Sequence, residues 1–218
     1  MWVLALDTAT PDLVTGLVNT DTGDTIDEIV PNTRNHNAIL VPTVQKLLER
    51  GGLTFADLGA IVVGSGPGPF TGLRVGMSTA SAFGQALGIP VHGVVTHDAV
   101  ASLIDEPRVL VVTDARRREV YWAAYDQGVR TAGPDVTAPA SLTLDHEVDA
   151  ISVPDHLRDS LAVKAPKASN VAPTAAALVA VADLTSTPAP LEPHYLRRPD
   201  AKVPAQKPKS PAIPEVQL

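Results

Sequence analysis

The sequence predicts an α/β protein of two lobes, and three features of its 218 residues support that prediction. Residues 60–63 form an apolar run, which enters a loop of glycines and prolines and continues in helical register to Gly88. This pattern indicates a buried strand, a tight loop and a crossover helix. Strand and helix patterns alternate after it, as in parallel sheets covered by helices. A later apolar strand ends on Asp114 as the first strand ends on Asp7, which indicates a second lobe.

Composition agrees with such a fold. Hydrophobic residues make up 44% of the chain but aromatic residues only 4%, so aliphatic side chains must fill the core. Buried parallel strands favour such side chains. The absence of cysteine excludes disulfides, thiolate catalysis and cysteine-bound zinc. A net charge of −7 argues against a protein that holds nucleic acid by its overall field.

The amino terminus lacks the basic and apolar segments of a secretion signal, and no stretch reaches membrane-spanning length. We therefore expect a cytoplasmic protein that does not bind membranes.

The first lobe is predicted to span residues 1–105. Three strand patterns open it, at residues 2–6, 13–19 and 24–30, and they form a meander. A helix at residues 37–50 follows, with Asn35 or Asn37 as its cap and Gly51-Gly52 as its stop. A capping box at Thr54 and Asp57 precedes the 60–63 strand. The lobe ends with a strand at 91–95 and a short helix at 97–104. This order is that of a ribonuclease-H-like lobe, the half-unit of the actin, hexokinase and Hsp70 superfamily.

The second lobe is predicted to span residues 106–199 in abbreviated form. Strands at 108–113 and 119–125 flank a charged turn and are expected to pair as a hairpin. Residues 134–148 give only a weak pattern. A strand at 150–153, a short helix at 154–161 and an alanine-rich helix at 173–183 follow. Prolines recur beyond Thr185, and residues 200–218 are expected to be a disordered tail.

The helix after the glycine-rich loop carries a stripe of small residues spaced four apart, namely Gly72, Gly76, Ala80 and Gly84. Each internal glycine costs about 1 kcal/mol relative to alanine, so the stripe indicates that something packs closely against it. Its neighbour is either this protein's own sheet and helices or a second protein. Because Leu73, Met77 and Phe83 make other sides of the helix apolar, the pattern favours a partner.

Several stretches resemble the TsaB family, also called YeaZ. The most specific is G-S-G-P-G-P-F-T-G-L-R-V-G at residues 64–76. Supporting stretches are residues 4–10, the helix from His36 to Leu48, residues 114–116, residues 119–121 and residues 195–201. Together they cover the chain nearly end to end.

The resemblance implies two actin-like lobes and a non-catalytic subunit in making threonylcarbamoyladenosine on tRNA. Family members pair through first-lobe helices with TsaD, which transfers the threonylcarbamoyl group, and the ATPase TsaE joins the assembly. The resemblance also allows a homodimer when the partner is absent, and it places tRNA in contact with the complex. The expected partner interface consists of Leu40, Val44, Gly72, Leu73, Gly76, Met77, Ala80 and Gly84.

The residues themselves argue against catalysis. An active superfamily member holds phosphates with a glycine-containing turn after its first strand, whereas Asp7, Thr8 and Thr10 form a turn without glycine. Asp114 is expected to flank the interlobe cleft opposite Asp7. No two histidines lie one helical turn apart as a TsaD-like metal site would need, and we expect His92 and His97 to lie at the surface or at a boundary.

The glycine-rich loop fits no catalytic motif. It lacks the Lys-Ser or Lys-Thr of a P-loop, and Ser65 lacks the flanking glycines of a hydrolase elbow. We therefore expect no cofactor, metal or catalytic group. Two alternatives stay open: an active actin-like ATPase or kinase, and a peptidase, for which the chain offers neither a nucleophile nor a metal site.

Basic residues could touch tRNA phosphates at a predicted hairpin tip and near the end of the chain. They are Arg116, Arg117, Arg118, Arg197, Arg198, Lys202, Lys207 and Lys209. The acidic overall charge favours the other interpretation, a solvated turn and a solubilising tail.

Overall fold

A computed structural model describes residues 1–197, and two five-stranded sheets organise them. The first sheet contains β1 (Trp2–Asp7), β2 (Leu13–Asn19), β3 (Thr25–Val30), β4 (Leu58–Gly64) and β5 (Val91–Val94). Its order is β3-β2-β1-β4-β5. β1, β2 and β3 pair antiparallel, whereas β4 pairs parallel to both β1 and β5. This arrangement confirms the predicted meander and the ribonuclease-H-like lobe.

Three α-helices lie within residues 1–105: α1 (His36–Gly51), α2 (Phe70–Leu87) and α3 (Thr96–Ala101). The predicted stop of α1 is confirmed, because Gly52 ends the helix with a φ of 62°. The predicted capping box is confirmed as well, since the backbone N–H of Thr54 donates to Asp57 Oδ2 over 2.7 Å. The apolar sides of α1 and α2 share one core cluster with β1 and β2.

The second sheet repeats this topology. It contains β6 (Arg108–Arg116), β7 (Glu119–Asp126), β8 (Val129–Thr137), β9 (Ala150–Ser152) and β10 (Lys167–Ser169). The order is β10-β9-β6-β7-β8, with β6 to β8 antiparallel and β6, β9 and β10 parallel. The only helix between β9 and β10 in the described chain is the four-residue α4 (Asp155–Arg158). The predicted abbreviated second lobe is therefore confirmed.

Two strands of the second sheet escaped sequence reasoning. Both lie at its edges: β8 contains Gly133 and Pro134, and all three residues of β10 are exposed. Edge strands are stabilised by pairing along one side only, and they need no buried apolar pattern. The signals on which strand prediction depends are therefore weak in both.

The alanine-rich helix is shorter than predicted, and it does not belong to the second lobe. This helix, α5 (Ala175–Ala180), packs on the first sheet, on the face opposite α1 and α2. Ala175 and Leu178 are fully buried in a cluster with Val3 and Val14. The predicted lobe boundary is therefore wrong for this segment, because the chain returns to cover the second face of the first sheet.

Residues 185–197, which we call the C-terminal strap, run back over both lobes. The backbone N–H of His194 donates to the Ser65 carbonyl over 2.8 Å. Arg197 donates to the Ala115 carbonyl over 2.7 Å and forms an ion pair of 3.1 Å with Glu119. The strap thus ties the end of β4 to the β6–β7 hairpin. The predicted tail and the basic residues from Arg198 onward lie outside the described residues.

None of the helices within residues 1–197 combines the length and the apolar character needed to cross a membrane.

Candidate functional site

The turn between β1 and β2, predicted to be a degenerate phosphate loop, is closed to solvent. Asp7 is fully buried, and Thr8 is 1% exposed. Asp7 Oδ1 accepts a hydrogen bond from the backbone N–H of Ala9 over 2.7 Å. Asp7 Oδ2 accepts one from the Thr96 hydroxyl over 2.6 Å. Both carboxylate oxygens therefore serve to hold this turn against the start of α3.

Burial raises the pKa of Asp7 from its ordinary value of 3.8 to about 6, although the hydrogen bonds from Thr96 and Ala9 act in the opposite direction. A raised carboxyl pKa is common in catalytic acids and bases. A general base must also come within hydrogen-bond reach of its substrate. Asp7 has no exposed surface, so its shifted pKa follows from packing and gives it no access to a substrate.

The first turns of α2 lie directly on the β1–β2 turn. The Thr8 hydroxyl donates to the Gly72 carbonyl over 2.7 Å and accepts from the backbone N–H of Gly76 over 3.1 Å. A Cβ atom on Gly72 or Gly76 would collide with Thr8, and one on Gly68 would collide with Ala9. The glycines of the 64–76 motif thus make room for this protein's own first turn.

The small-residue stripe of α2 consequently packs against this protein's own chain, with Gly76, Ala80 and Gly84 buried and Gly72 partly buried. Ala80 is fully buried, and a Cβ atom on Gly84 would collide with the Val91 side chain. The predicted partner-contact role of Gly72, Gly76, Ala80 and Gly84 is wrong in this structure, because the β1–β2 turn and β5 occupy the space beside them. Glycine permits close approach by any backbone, so the stripe alone could not identify its neighbour.

The other predicted interface residues are also in the core. They are Leu40, Val44, Leu73 and Met77, of which Met77 is the most exposed at 7%. They contribute to the cluster between the sheet and the two helices. Their assignment to a partner interface is corrected for the same reason: an apolar helix face is as readily used for intramolecular packing.

The exposed side of α1 and α2 carries a different set of residues. We call it the outer helical face: Ala38, Val41, Pro42, Gln45, Ser78, Ser81, Ala82 and Gln85. Val41 is 38% exposed. The α2 part consists mainly of short side chains, and α1 and α2 contact each other. The face therefore offers a surface on which another helix could pack closely.

An aromatic pair joins the amino end of α2 to the C-terminal strap. The rings of Phe70 and Tyr195 lie 4.8 Å apart, and the Arg74 guanidinium lies 5.1 Å from the Phe70 ring centroid. Phe70 remains 54% exposed and Tyr195 41% exposed. Sequence reasoning did not single out this pair, although both residues lie in stretches that carry the family resemblance.

Asp114 does not join Asp7 in a common site. Its Oδ1 accepts from the backbone N–H of Arg116 over 2.6 Å, and its Oδ2 lies 3.4 Å from His156 Nε2. No hydrogen bond links Asp114 to Asp7 within residues 1–197. Asp114 therefore acts as a cap for the β6–β7 turn.

His92 and His97 are buried, at 6% and 0% exposure, so their predicted surface or boundary positions are wrong. His97 lies on α3, which packs against β6 and β7, and its Nε2 is 2.9 Å from the Thr113 hydroxyl. Burial, followed by the charges of Arg130 and His194, lowers the pKa of His97 to about 3. This histidine is therefore neutral at physiological pH. Within the described chain, no three histidine, aspartate or glutamate side chains are grouped as metal ligands.

A cavity of about 400 Å³ lies beside β5, between the first lobe, β8 and the C-terminal strap. Its polar lining includes Ser65, His92, Asp98, Arg130 and His194. Ser65 Oγ lies 3.3 Å from His194 Nδ1, but it donates its proton to the Val94 carbonyl over 3.0 Å. This pair is therefore not arranged as a nucleophile and its base, since the base must receive the hydroxyl proton.

The chain is similar to known proteins of threonylcarbamoyladenosine biosynthesis and to an uncharacterized mycobacterial protein. Residues 25–185 match the family model described as TsaD: tRNA N6-adenosine threonylcarbamoyltransferase. An uncharacterized protein of Mycobacterium tuberculosis is 47% identical over 201 residues, covering 92% of this chain and 93% of that protein. The tRNA threonylcarbamoyladenosine biosynthesis protein TsaB of Escherichia coli is 37% identical over 131 residues, which cover 58% of this chain and 56% of that protein.

Two further relatives also carry the names TsaB or YeaZ. The TsaB protein of Bacillus subtilis is 34% identical over 57% of this chain and 55% of its own length. Among solved structures, YeaZ from Pseudomonas aeruginosa superposes with a TM-score of 0.73 at 26% identity, covering 82% of this chain and 88% of that one. The chain thus aligns with just over half the length of the TsaB proteins and with most of the YeaZ structure.

Proposed function

Because this chain belongs to the TsaB (YeaZ) family, we propose that it serves in threonylcarbamoyladenosine biosynthesis on tRNA as a non-catalytic subunit. It supports a TsaD-like subunit that carries out the transfer, and a TsaE-like ATPase joins the assembly. The observation that carries the non-catalytic assignment is the contact between Thr8 and α2. Both hydrogen-bonding roles of the Thr8 hydroxyl are used within the lobe, by Gly72 and Gly76.

This contact closes the position that an active relative offers to phosphates. A phosphate needs free backbone N–H groups close to the turn after the first strand. Here the N–H of Ala9 already donates to Asp7, and the Gly68 backbone lies against Ala9. A nucleotide would have to displace α2 from the turn before binding. The proposed function therefore requires no nucleotide or metal in this chain.

The outer helical face is the proposed surface for the TsaD-like subunit. It replaces the interface residues predicted from the sequence, which are in the core, and it lies on the same two helices. The match to the TsaD family model covers residues 25–185 and so includes both α1 and α2. A TsaD-like partner therefore has corresponding helices, and two such pairs can pack face to face through short side chains. The same symmetry explains why a homodimer would compete when the partner is absent.

Ala82→Arg tests this interface. The exposed position on α2 tolerates a long side chain in the monomer, but the arginine would separate the two helix pairs. We expect at least a tenfold loss of recovery with a TsaD-like subunit in co-purification, because overpacking and burial of an unpaired charge each oppose binding by more than about 1.4 kcal/mol. The thermal midpoint of the isolated chain should stay unchanged.

Ala176→Arg is the matched control, since Ala176 is an exposed helical alanine on the opposite face of the first lobe. It should leave co-purification intact. Normal recovery of the Ala82→Arg variant would exclude the outer helical face as the interface.

A further inference from the structure

The turn between β6 and β7 combines arginine residues with a backbone that disfavours them. Arg116, Arg117 and Arg118 have φ angles of 62°, 51° and 65°. A left-handed conformation crowds the Cβ atom of any residue except glycine, and tight hairpin turns of this kind ordinarily use asparagine and glycine. Three successive arginines are therefore a local conflict between sequence and structure, and such conflicts concentrate at functional sites.

Two of the three arginines at this turn, Arg116 and Arg118, keep their positive charge without an ion-pair partner among the described residues. Both side chains are exposed. The two nearby carboxylates are engaged elsewhere, because Asp114 faces His156 at 3.4 Å and Glu119 faces Arg197 at 3.1 Å. Arg197 brings a further guanidinium to the base of the turn. This end of the second lobe is thus basic in a protein whose net charge is −7.

We propose that Arg116 and Arg118 of residues 116–118, the arginine turn, bind phosphates of the tRNA backbone. The inference rests on the proposed function, which brings tRNA to the assembly. Guanidinium groups pair with phosphate oxygens in a bidentate manner, and such contacts position an RNA without reading its sequence. The acidic remainder of the chain repels RNA, so the basic turn also orients the approach.

The test measures the affinity of the assembled complex, this chain with its TsaD-like subunit, for an unmodified tRNA transcript at several salt concentrations. In the double variant Arg116→Ala with Arg118→Ala, affinity should fall roughly tenfold at low salt, and the slope of log affinity against log salt should flatten by about 1 per lost phosphate contact. The double variant Lys46→Ala with Arg50→Ala is the control. It changes the net charge equally at a distant edge of the first lobe, where both residues pair with Glu28, and it should leave the salt slope unchanged.

Arg118→Gly separates RNA binding from folding. Glycine accepts the left-handed backbone, so this variant should be at least as stable as the wild type and still bind tRNA more weakly. If tRNA affinity were unchanged in both turn variants while the complex with the TsaD-like subunit stayed intact, the proposal that the arginine turn binds tRNA would be refuted and the proposed function would not. Failure of the wild-type chain to join the TsaD-like subunit would instead overturn the proposed function. If polyglutamate bound at the arginine turn and tRNA did not, the turn would be a binding site for an acidic protein, and the proposal would also be refuted.

Discussion

Asp7 and His97 are both fully buried. Their burial makes the stability of the protein depend on pH in opposite ways. The pKa of Asp7 rises from 3.8 to about 6, so the folded protein holds a proton there that the unfolded chain releases. Its contribution to stability is therefore present below pH 3.8 and lost as pH rises through 6. The pKa of His97 falls from 6.5 to about 3, so its contribution is present above pH 6.5 and lost as pH falls toward 3.

Single substitutions should separate these two effects between pH 4 and pH 6. Asp7→Asn keeps a hydrogen-bonding group beside Thr96 but removes the buried charge. Relative to the wild type, its free energy of unfolding should rise with pH across this window, reaching a gain of about 1–3 kcal/mol at pH 7. His97→Gln should show the opposite relative slope. Urea unfolding at several pH values measures both, and parallel profiles for all three proteins would contradict the pKa assignments.

The packing of α2 on the β1–β2 turn is the element-scale contact on which the site depends. Gly76→Ala tests it, because alanine in an open helix would stabilise by about 1 kcal/mol. Here the added Cβ would displace the Thr8 hydroxyl. We expect a net loss of about 1–3 kcal/mol in the free energy of unfolding, as for other overpacked sites.

Thr8→Ala in the Gly76→Ala background removes the obstructing hydroxyl and should recover part of this stability. Denaturant unfolding of the two single variants and the double variant provides a cycle that measures the coupling. A stabilising Gly76→Ala substitution would mean that the stripe is open, as the sequence first suggested.

Element positions also show how far sequence reasoning reaches. The strands of the first lobe and helices α1 and α2 were predictable within a few residues, because hydrophobic periodicity, capping residues and glycine stops act locally. The destination of α5 was not. Its alanine-rich pattern marks a helix, but either sheet could accept its small apolar face, and the choice depends on which face the other helices leave uncovered.

At the scale of the whole molecule, two sheets of the same topology are joined by α3 and the C-terminal strap. An active actin-like ATPase, the alternative left open by the sequence, would use the space between its lobes for a nucleotide. Here the β1–β2 turn is closed, and Asp98 in the neighbouring cavity accepts from the Tyr125 hydroxyl over 2.7 Å and lies 3.6 Å from Arg130. These interactions hold the two lobes together.

Calorimetric titration of the isolated chain with ATP and magnesium distinguishes the proposed subunit from an active actin-like ATPase. We expect no binding heat at millimolar nucleotide, because the phosphate position is filled by protein. A submillimolar dissociation constant would contradict the non-catalytic proposal, and a TsaE-like ATPase titrated in parallel provides the positive control.

The two-lobed α/β class, the order of the first-lobe elements and the glycine-rich motif could be predicted from the sequence, because each depends on local periodicity or on a short string of residues. The role of that motif became clear from the three-dimensional packing. A glycine in the sequence indicates that another backbone comes close, but it does not indicate which one. The burial of His92, His97 and the α2 stripe likewise depends on elements that are distant in the chain. The arginine turn is a second example. Its residues can be read from the sequence, but their left-handed backbone conformation follows from the pairing of β6 with β7.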